Sequence, residues 1–370
     1  MLEDFAAKIA RKIISQIEDG LLNSSRFSPP ENHFHSGRTF IVSVTTRCNF
    51  NCPHCLRQEV DDNKTLVKDL PVSVLETLLK EGKKIDFQSV SLTGGEPVLH
   101  PQFKELISLI KKYDYRFNII SNGWLYENYR ETIEQNKKNL NFISLSIDGA
   151  TSEIHDAVRN KPGSFKKLME AIQFYKKQDV PLIVSFCATK NNFHQIEEFP
   201  NFCLKLGIDV IKWMTVIPIY DKSGAPMTEY ILTDEERNDA LQKILNLQEK
   251  FKSDCRFIVA RSFYPVSGNS GIGNGKEIYT CSILNCHSLY IDHDGGALFC
   301  CDINRKCENK PLIKEKGFEE ALDITMDTAN EIKKKASQIL LNGQKIGRFC
   351  DFCNKNVENC LDLAIWRSCG

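Results

Sequence analysis

The sequence predicts an α/β fold: a partial (βα)6 barrel of parallel strands followed by a small cysteine-rich C-terminal domain. Three observations predict it. Short β-branched runs alternate with helix-period segments six times between residues 40 and 217. Each run is followed by a polar or glycine-rich loop. Cysteines number 15 in 370 residues, three in the first of these loops and nine between Cys281 and Cys369.

The strand runs are FIVSVTT (40–46), SVSLT (89–93), FNIIS (117–121), FISLSID (142–148), LIVSFCAT (182–189) and VIKWMTVI (210–217). Between them lie VSVLETLLKEGKKI, FKELISLIKKYD, SFKKLMEAIQFYKKQ and EEFPNFCLKLGI, whose apolar residues recur at helical spacing. Such alternation produces parallel strands with right-handed crossovers. Six units do not close an eight-fold barrel, which leaves an open barrel or a doubly wound sheet. The expected boundaries are an N-terminal helical extension over 1–39, the barrel over 40–253 with the helix DEERNDALQKILNLQEKFKS at its end, and an auxiliary domain over 254–370.

Composition narrows the function. The 48 basic and 48 acidic residues cancel, which gives no pull towards nucleic acid or an anionic membrane. The lysine runs KEGKK (80–84) and IKKKAS (332–337) read as solvated helix faces. No apolar run reaches the roughly 18 residues of a membrane span, and the N-terminus lacks the apolar core of a signal peptide. A cytoplasmic protein is expected. The glycine cluster GNSGIGNG does not sit between a strand and a helix, so it is not expected to cradle phosphate.

The loops after the six strands read TTRCNFNCPHC, TGGEP, SNG, SIDGA, TKNN and PIYDKSG. All fall at carboxyl ends of parallel strands, the rim where barrels and open α/β sheets place their chemistry. In a reducing compartment, clustered thiols are metal ligands more often than disulfides. Cys48, Cys52 and Cys55 supply three thiolates where an iron–sulfur cube commonly takes four, leaving one iron open. An open coordination position marks a metal site that does chemistry. Structural zinc, the other reading, would need a fourth ligand such as His54. Cys187, Cys203 and Cys255 stand singly in apolar settings and read as small core residues.

CNFNCPHC after the first strand and TGGEP after the second together resemble the radical S-adenosylmethionine (SAM) superfamily, over most of residues 40–220. The resemblance implies a 4Fe-4S cluster on Cys48, Cys52 and Cys55, with SAM chelating the fourth iron. Electron transfer from the cluster would cleave SAM to a 5′-deoxyadenosyl radical that removes a hydrogen atom from the substrate. Gly94 and Gly95 would let the backbone approach SAM, Glu96 would hold its ammonium, and Pro97 would set the loop's exit. Asn122, Ser146 and Asp148 fall where the family contacts the SAM carboxylate and ribose; a helix-capping role is the plainer reading. His54 takes a position that is usually aromatic. His155 and Arg159, in SEIHDAVRNKPGSF, match a stretch common in related enzymes, where a solvated helix is the alternative.

The segment CSILNCHSLYIDHDGGALFCCD reads as a hairpin, LYID–HDGG–ALFC, bracketed by cysteines. With FCDFCNKNVENC it resembles the SPASM extension of radical SAM enzymes. That implies one or two auxiliary 4Fe-4S clusters drawn from Cys281, Cys286, Cys300, Cys350, Cys353, Cys360 and Cys369, although a zinc site is also open. The family's later run continues Cys-x5-Cys-x3-Cys, whereas here Cys360 follows after six residues and position 364 is Ala, so Cys369, Cys301 or Cys307 would have to substitute there. Asp302 is a candidate base beside Cys300 and Cys301, against the alternative of a surface acid. The resemblance implies a peptide or protein substrate, to be crosslinked, epimerised or oxidised, with a small molecule (amino sugar, cyclitol or tetrapyrrole) as the alternative. An electron donor such as flavodoxin or ferredoxin is the expected partner.

Overall fold

The computed structural model describes residues 38–55, 67–217, 229–264, 288–301, 309–342, 346 and 349–368. The N-terminal helix, GNSGIGNG, the PIYDKSG loop, Cys281, Cys286, Asp302, Cys307 and Cys369 lie outside them. Gly37–Gly370 form one compact unit.

All six expected strands are present: β1 (Arg38–Thr45), β2 (Phe87–Gly94), β3 (Arg116–Ser121), β4 (Leu140–Ser146), β5 (Leu182–Ala188) and β6 (Val210–Thr215). They pair in parallel, each with the next in sequence. Helices α1 (Val72–Gly82), α2 (Phe103–Lys112), α3 (Arg130–Asn136), α4 (Ser152–Arg159), α5 (Ser164–Lys177) and α6 (Phe199–Lys205) lie in the crossovers. The unidirectional strand order is that of a partial barrel, and it excludes the doubly wound alternative, whose order reverses midway. Helix α7 (Asp234–Lys250) begins with a Thr233–Glu236 capping box, which satisfies two donors at its first turn.

Three strands extend the sheet beyond the six. β7 (Arg256–Val259) pairs in parallel with β6 at one edge. At the other edge β8 (Ser288–Ile291) pairs in parallel with β1 and forms the expected hairpin with β9 (Ala297–Leu298). The C-terminal segment therefore shares the barrel's sheet while building a second core of its own. Helices α8 (Phe318–Leu341) and α9 (Phe349–Ser368) pack together to form that core. Ala329, Ile332 and Ala336 contribute from α8; Cys353, Val357, Cys360, Leu361 and Ala364 contribute from α9. The α9 positions follow helical spacing, so Cys353 and Cys360 fall on the buried stripe of the helix.

The two faces of the sheet differ in chemistry. Alternation puts Val42, Leu92, Ile119, Leu145, Phe186 and Trp213 on one face, all fully buried in the main core. Trp213 is fixed there by edge-on or tilted contacts with Phe186, Phe199 and Phe257. The opposite face is mixed: Ile120, Phe142, Ile183 and Met214 lie there among hydrogen-bonding and charged residues. Thr39 bonds Ser89, Asn118 donates to Ser91, and Ser144 bonds Ser185. Lys212 lies in register with Ser185 on this face. On the same face, Ile41 and Tyr290 pack against the second core, which brings Cys353 and Cys360 to this side of the sheet.

Candidate functional site

The loop after β1 carries Cys48, Cys52 and Cys55, and contacts from four directions hold it. From behind, Thr46 exchanges hydrogen bonds with the Lys68 backbone, and Arg47 grips Asp69 through Nε and Nη2 at 3.0–3.1 Å. Thr45 Oγ1 also donates to Asp69 at 2.5 Å. From the TGGEP loop, Gly95 N–H donates to Thr45 O and Glu96 N–H to Arg47 O, both at 2.7 Å. From the SNG loop, Asn122 Nδ2 donates to Asn49 Oδ1 at 2.9 Å. From the segment after α4, Lys161 Nζ lies over the rings of Phe50 and Trp124, which meet edge to face. None of the three thiols is in a disulfide.

The glycines of TGGEP are explained by this stitching. A Cβ on Gly95 would lie 2.0 Å from Arg47 O, and one on Gly94 would lie 2.6 Å from Thr45 O. Gly94 also adopts φ 140°, in the region that L side chains rarely occupy. The atoms in the way are backbone of the cysteine loop, so a larger residue must push that loop outward. Gly95→Ala is therefore expected to lower iron incorporation on reconstitution by at least about tenfold while the helical circular dichroism stays near wild type, as misplacing ligands costs metal affinity on that order.

Glu96 is 1% exposed. Its Oε1 accepts from Ser121 Oγ and its Oε2 from Asn122 N–H, both at 2.8 Å. Burial pushes its carboxyl up to about 7, against the pull of those two hydrogen bonds. A buried carboxylate beside the cysteine loop, in no ion pair among the described residues, is suited to an ammonium group. Asn122 turns its Oδ1 to Trp124 N–H, so its side chain caps its own turn as well as holding Asn49. Asn49 Nδ2 is buried with no hydrogen-bond partner among the described residues. That donor, next to Cys48, belongs to the candidate site although the spacing of the motif did not single it out. Ser146 is half-buried at the end of β4.

Asp148 follows β4 and faces a cluster of buried polar side chains. It is fully buried, with Oδ1 accepting from Cys187 N–H at 2.8 Å and Oδ2 2.7 Å from Arg159 Nε and 3.5 Å from His54 Nε2. Burial opposes its ionisation, yet Arg159 and His54 outweigh it and hold the carboxyl well below the usual range. Arg159 Nη1 in turn reaches Cys52 Sγ at 3.8 Å. The α4 stretch is therefore no solvated helix on this side. His155 is buried, accepts the Asp148 N–H at Nδ1, and is pushed down to about 4 by burial, so it stays a neutral acceptor. Cys203 and Cys255 are buried core residues, while Cys187 is half-buried.

The second cysteine field is partly described. Cys353 and Cys360 are buried in the second core, and Cys300 and Cys301, after β9, pack against it. Cys350 is half-buried at the start of α9. The β8–β9 turn that precedes Cys300 is pinned by Lys310, whose Nζ reaches Asp292 at 2.7 Å and Asp294 at 2.8 Å. Asp292, His293 and Asp294 crowd together there, and the Lys310 ammonium already bridges the two carboxylates. No helix among the described residues is long and apolar enough to cross a membrane.

Comparison with known proteins is consistent with this geometry. Residues 42–203 match the model of the Radical SAM superfamily. The chain is 27% identical over 299 residues to a cysteine-type anaerobic sulfatase-maturating enzyme of Clostridium novyi (strain NT), covering 76% of this chain and 77% of that protein. It is 23% identical over 229 residues to an AdoMet-dependent heme synthase of Oleidesulfovibrio alaskensis, covering 62% of this chain and 58% of that one. Among solved structures, Streptococcus suis SuiB bound to precursor peptide SuiA superposes with a TM-score of 0.62 at 15% identity, over 86% of this chain and 70% of SuiB.

Proposed function

We propose, from the match of residues 42–203 to the Radical SAM superfamily, that the chain is a radical SAM maturase acting on a peptide or protein substrate. The observation that carries the proposal is the joining of two loops. The buried Glu96 carboxylate is tied through its own backbone to Arg47, next to Cys48. The amino end of a ligand held by Glu96 would thus stand beside the three thiols, as a ligand bridging both would require.

The donor set fits a four-iron cluster: three thiols outside any disulfide on one loop, with Asn49 Nδ2 an unused buried donor beside them. Cys48, Cys52 and Cys55 would hold that cluster, which when bound would supply the electron for reductive cleavage of SAM and so for hydrogen removal from the substrate. The chain's own residues do the rest. Arg47–Asp69 and the TGGEP stitching hold the loop, Glu96 orients SAM, and Asn122 fixes Asn49. Cys350, Cys353 and Cys360, with Cys300 or Cys301, are the described residues that would hold an auxiliary cluster.

Two observations favour a peptide over a tetrapyrrole. The sheet face that carries Asn118, Ser144, Ser185 and Lys212 sets hydrogen-bonding and charged groups among apolar ones such as Phe142 and Ile183, a mixture suited to the amides and side chains of a peptide. The sulfatase-maturating relative also covers more of this chain than the heme synthase does. The first test is stoichiometry. After anaerobic reconstitution we expect about eight irons and eight sulfides per chain for one auxiliary cluster and about twelve for two; about four, with zinc present, would overturn the auxiliary assignment. Cys353→Ala should then retain SAM cleavage while losing turnover of a peptide substrate. Full peptide turnover in that variant would make the C-terminal cysteines a structural clamp.

A further inference from the structure

The inference concerns Arg159 and rests on the reading of Cys48, Cys52 and Cys55 as cluster ligands. Arg159 closes α4, where the last basic residue of a surface helix ordinarily projects into water. Here it turns under the cysteine loop, with its side chain 13% exposed. Nη1 lies 3.8 Å from Cys52 Sγ, and Nε lies 2.7 Å from Asp148 Oδ2. Asn160, in the left-handed conformation, ends the helix and donates from Nδ2 to Asn51 O, which ties the same turn to the loop.

Asp148 is held from several sides. Its Oδ1 accepts from Cys187 N–H, its N–H donates to His155, and its C=O accepts from Asn192 Nδ2 at 3.0 Å. A fixed anion therefore orients a fixed cation, and the cation meets the sulfur of a ligand. A buried brace for Asp148 alone would not need the guanidinium to reach Cys52.

Sulfur that ligates an iron cluster carries part of its negative charge, and more of it when the cluster is reduced. Hydrogen bonds to the sulfurs and nearby positive charge therefore favour the reduced state. The Asp148 carboxylate acts in the opposite sense, partly cancelling the guanidinium. We propose that Arg159 is a positioning residue whose N–H···S contact raises the reduction potential of the cluster held by Cys48, Cys52 and Cys55, with Asp148 setting how much of its charge Cys52 feels.

The test is a redox titration of the reconstituted full chain followed by electron paramagnetic resonance. The relevant cluster is identified as the one whose signal changes when SAM is added. Arg159→Gln should lower the reduced-to-oxidised ratio at fixed potential about tenfold, which is 59 mV for one electron. Asp148→Asn keeps an acceptor for Cys187 N–H and should move the ratio the other way, by a few-fold; the double variant should fall between. Should Arg159→Gln not fold, Arg159→Lys keeps the charge but loses the planar donor, and should shift in the same direction as Gln by less. Opposite shifts in the Arg159 and Asp148 variants support the assignment, since general loosening of the loop would move both alike. Unchanged ratios, or shifts of one sign, overturn it. Absence of any SAM-responsive signal in the wild type overturns the cluster reading itself and this inference with it.

Discussion

Cys52→Ala is expected to end 5′-deoxyadenosine production by the reconstituted protein, a fall of about a thousandfold or more, equivalent to about 4 kcal/mol of barrier. Cys52 is the buried member of the three thiols and the one within reach of Arg159. Its own burial pushes the thiol's pKa up, against Arg159, so without metal it is no ready thiolate. Ligation is what would hold it ionised. Alanine is smaller than cysteine and the loop remains fixed by Asp69, Gly95 and Asn122, so the variant should keep its circular dichroism and melt within a few degrees of wild type. Undiminished SAM cleavage in a folded Cys52→Ala protein would remove the cysteine loop from the chemistry.

Glu96→Gln should separate stability from function. Burial pushes the carboxyl from 4.5 up to about 7. A raised acid binds its proton more tightly in the folded state, so its burden on stability is absent below pH 4.5, grows as pH rises and is complete above about 7. The cost at pH 8 is on the order of 3 kcal/mol. Glutamine fits the same space: Oε1 can accept the Asn122 N–H while Nε2 donates to Ser121 Oγ. The SAM-free variant should therefore melt several degrees higher than wild type at pH 8 and nearly level with it at pH 5. Adding SAM should raise the wild-type melting point most at high pH, because the ammonium relieves the buried charge. The variant should lose that gain, and its KM for SAM should rise about 10- to 100-fold, the worth of one charged hydrogen bond. A variant that binds SAM as tightly as wild type would take Glu96 out of the SAM site.

Much of this was legible from the chain alone, for identifiable reasons. Each of the six strands is a β-branched or aromatic run whose neighbours are punctuated by glycine, proline or polar loops, so local chemistry marks it. β7 was missed because RFIV is four residues long and draws its pairing from β6 rather than from its own pattern. The hairpin of β8 and β9 was legible in its HDGG turn, but nothing local says that β8 lies beside β1. That pairing joins the C-terminal segment to the barrel's sheet. The helical placement of Cys350, Cys353 and Cys360 is not carried by the Cys-x2-Cys run itself but by the apolar stripe through Val357 and Ala364.

At the site the same division holds. The sequence by itself determined the donor types and their order: three thiols in eight residues after one strand, and two glycines and a carboxylate after the next. Those are properties of short contiguous segments, whose geometry is set by neighbouring residues. Only the tertiary structure decided what the other rim residues face. Asp148 is 11 residues from Arg159 and 94 from His54, yet all three share one buried polar cluster beneath Cys52. Gly95 needs its missing side chain for the backbone of Arg47, 48 residues earlier. Burial and ion pairing between distant segments depend on where packed strands bring their ends together, and no local pattern carries that information.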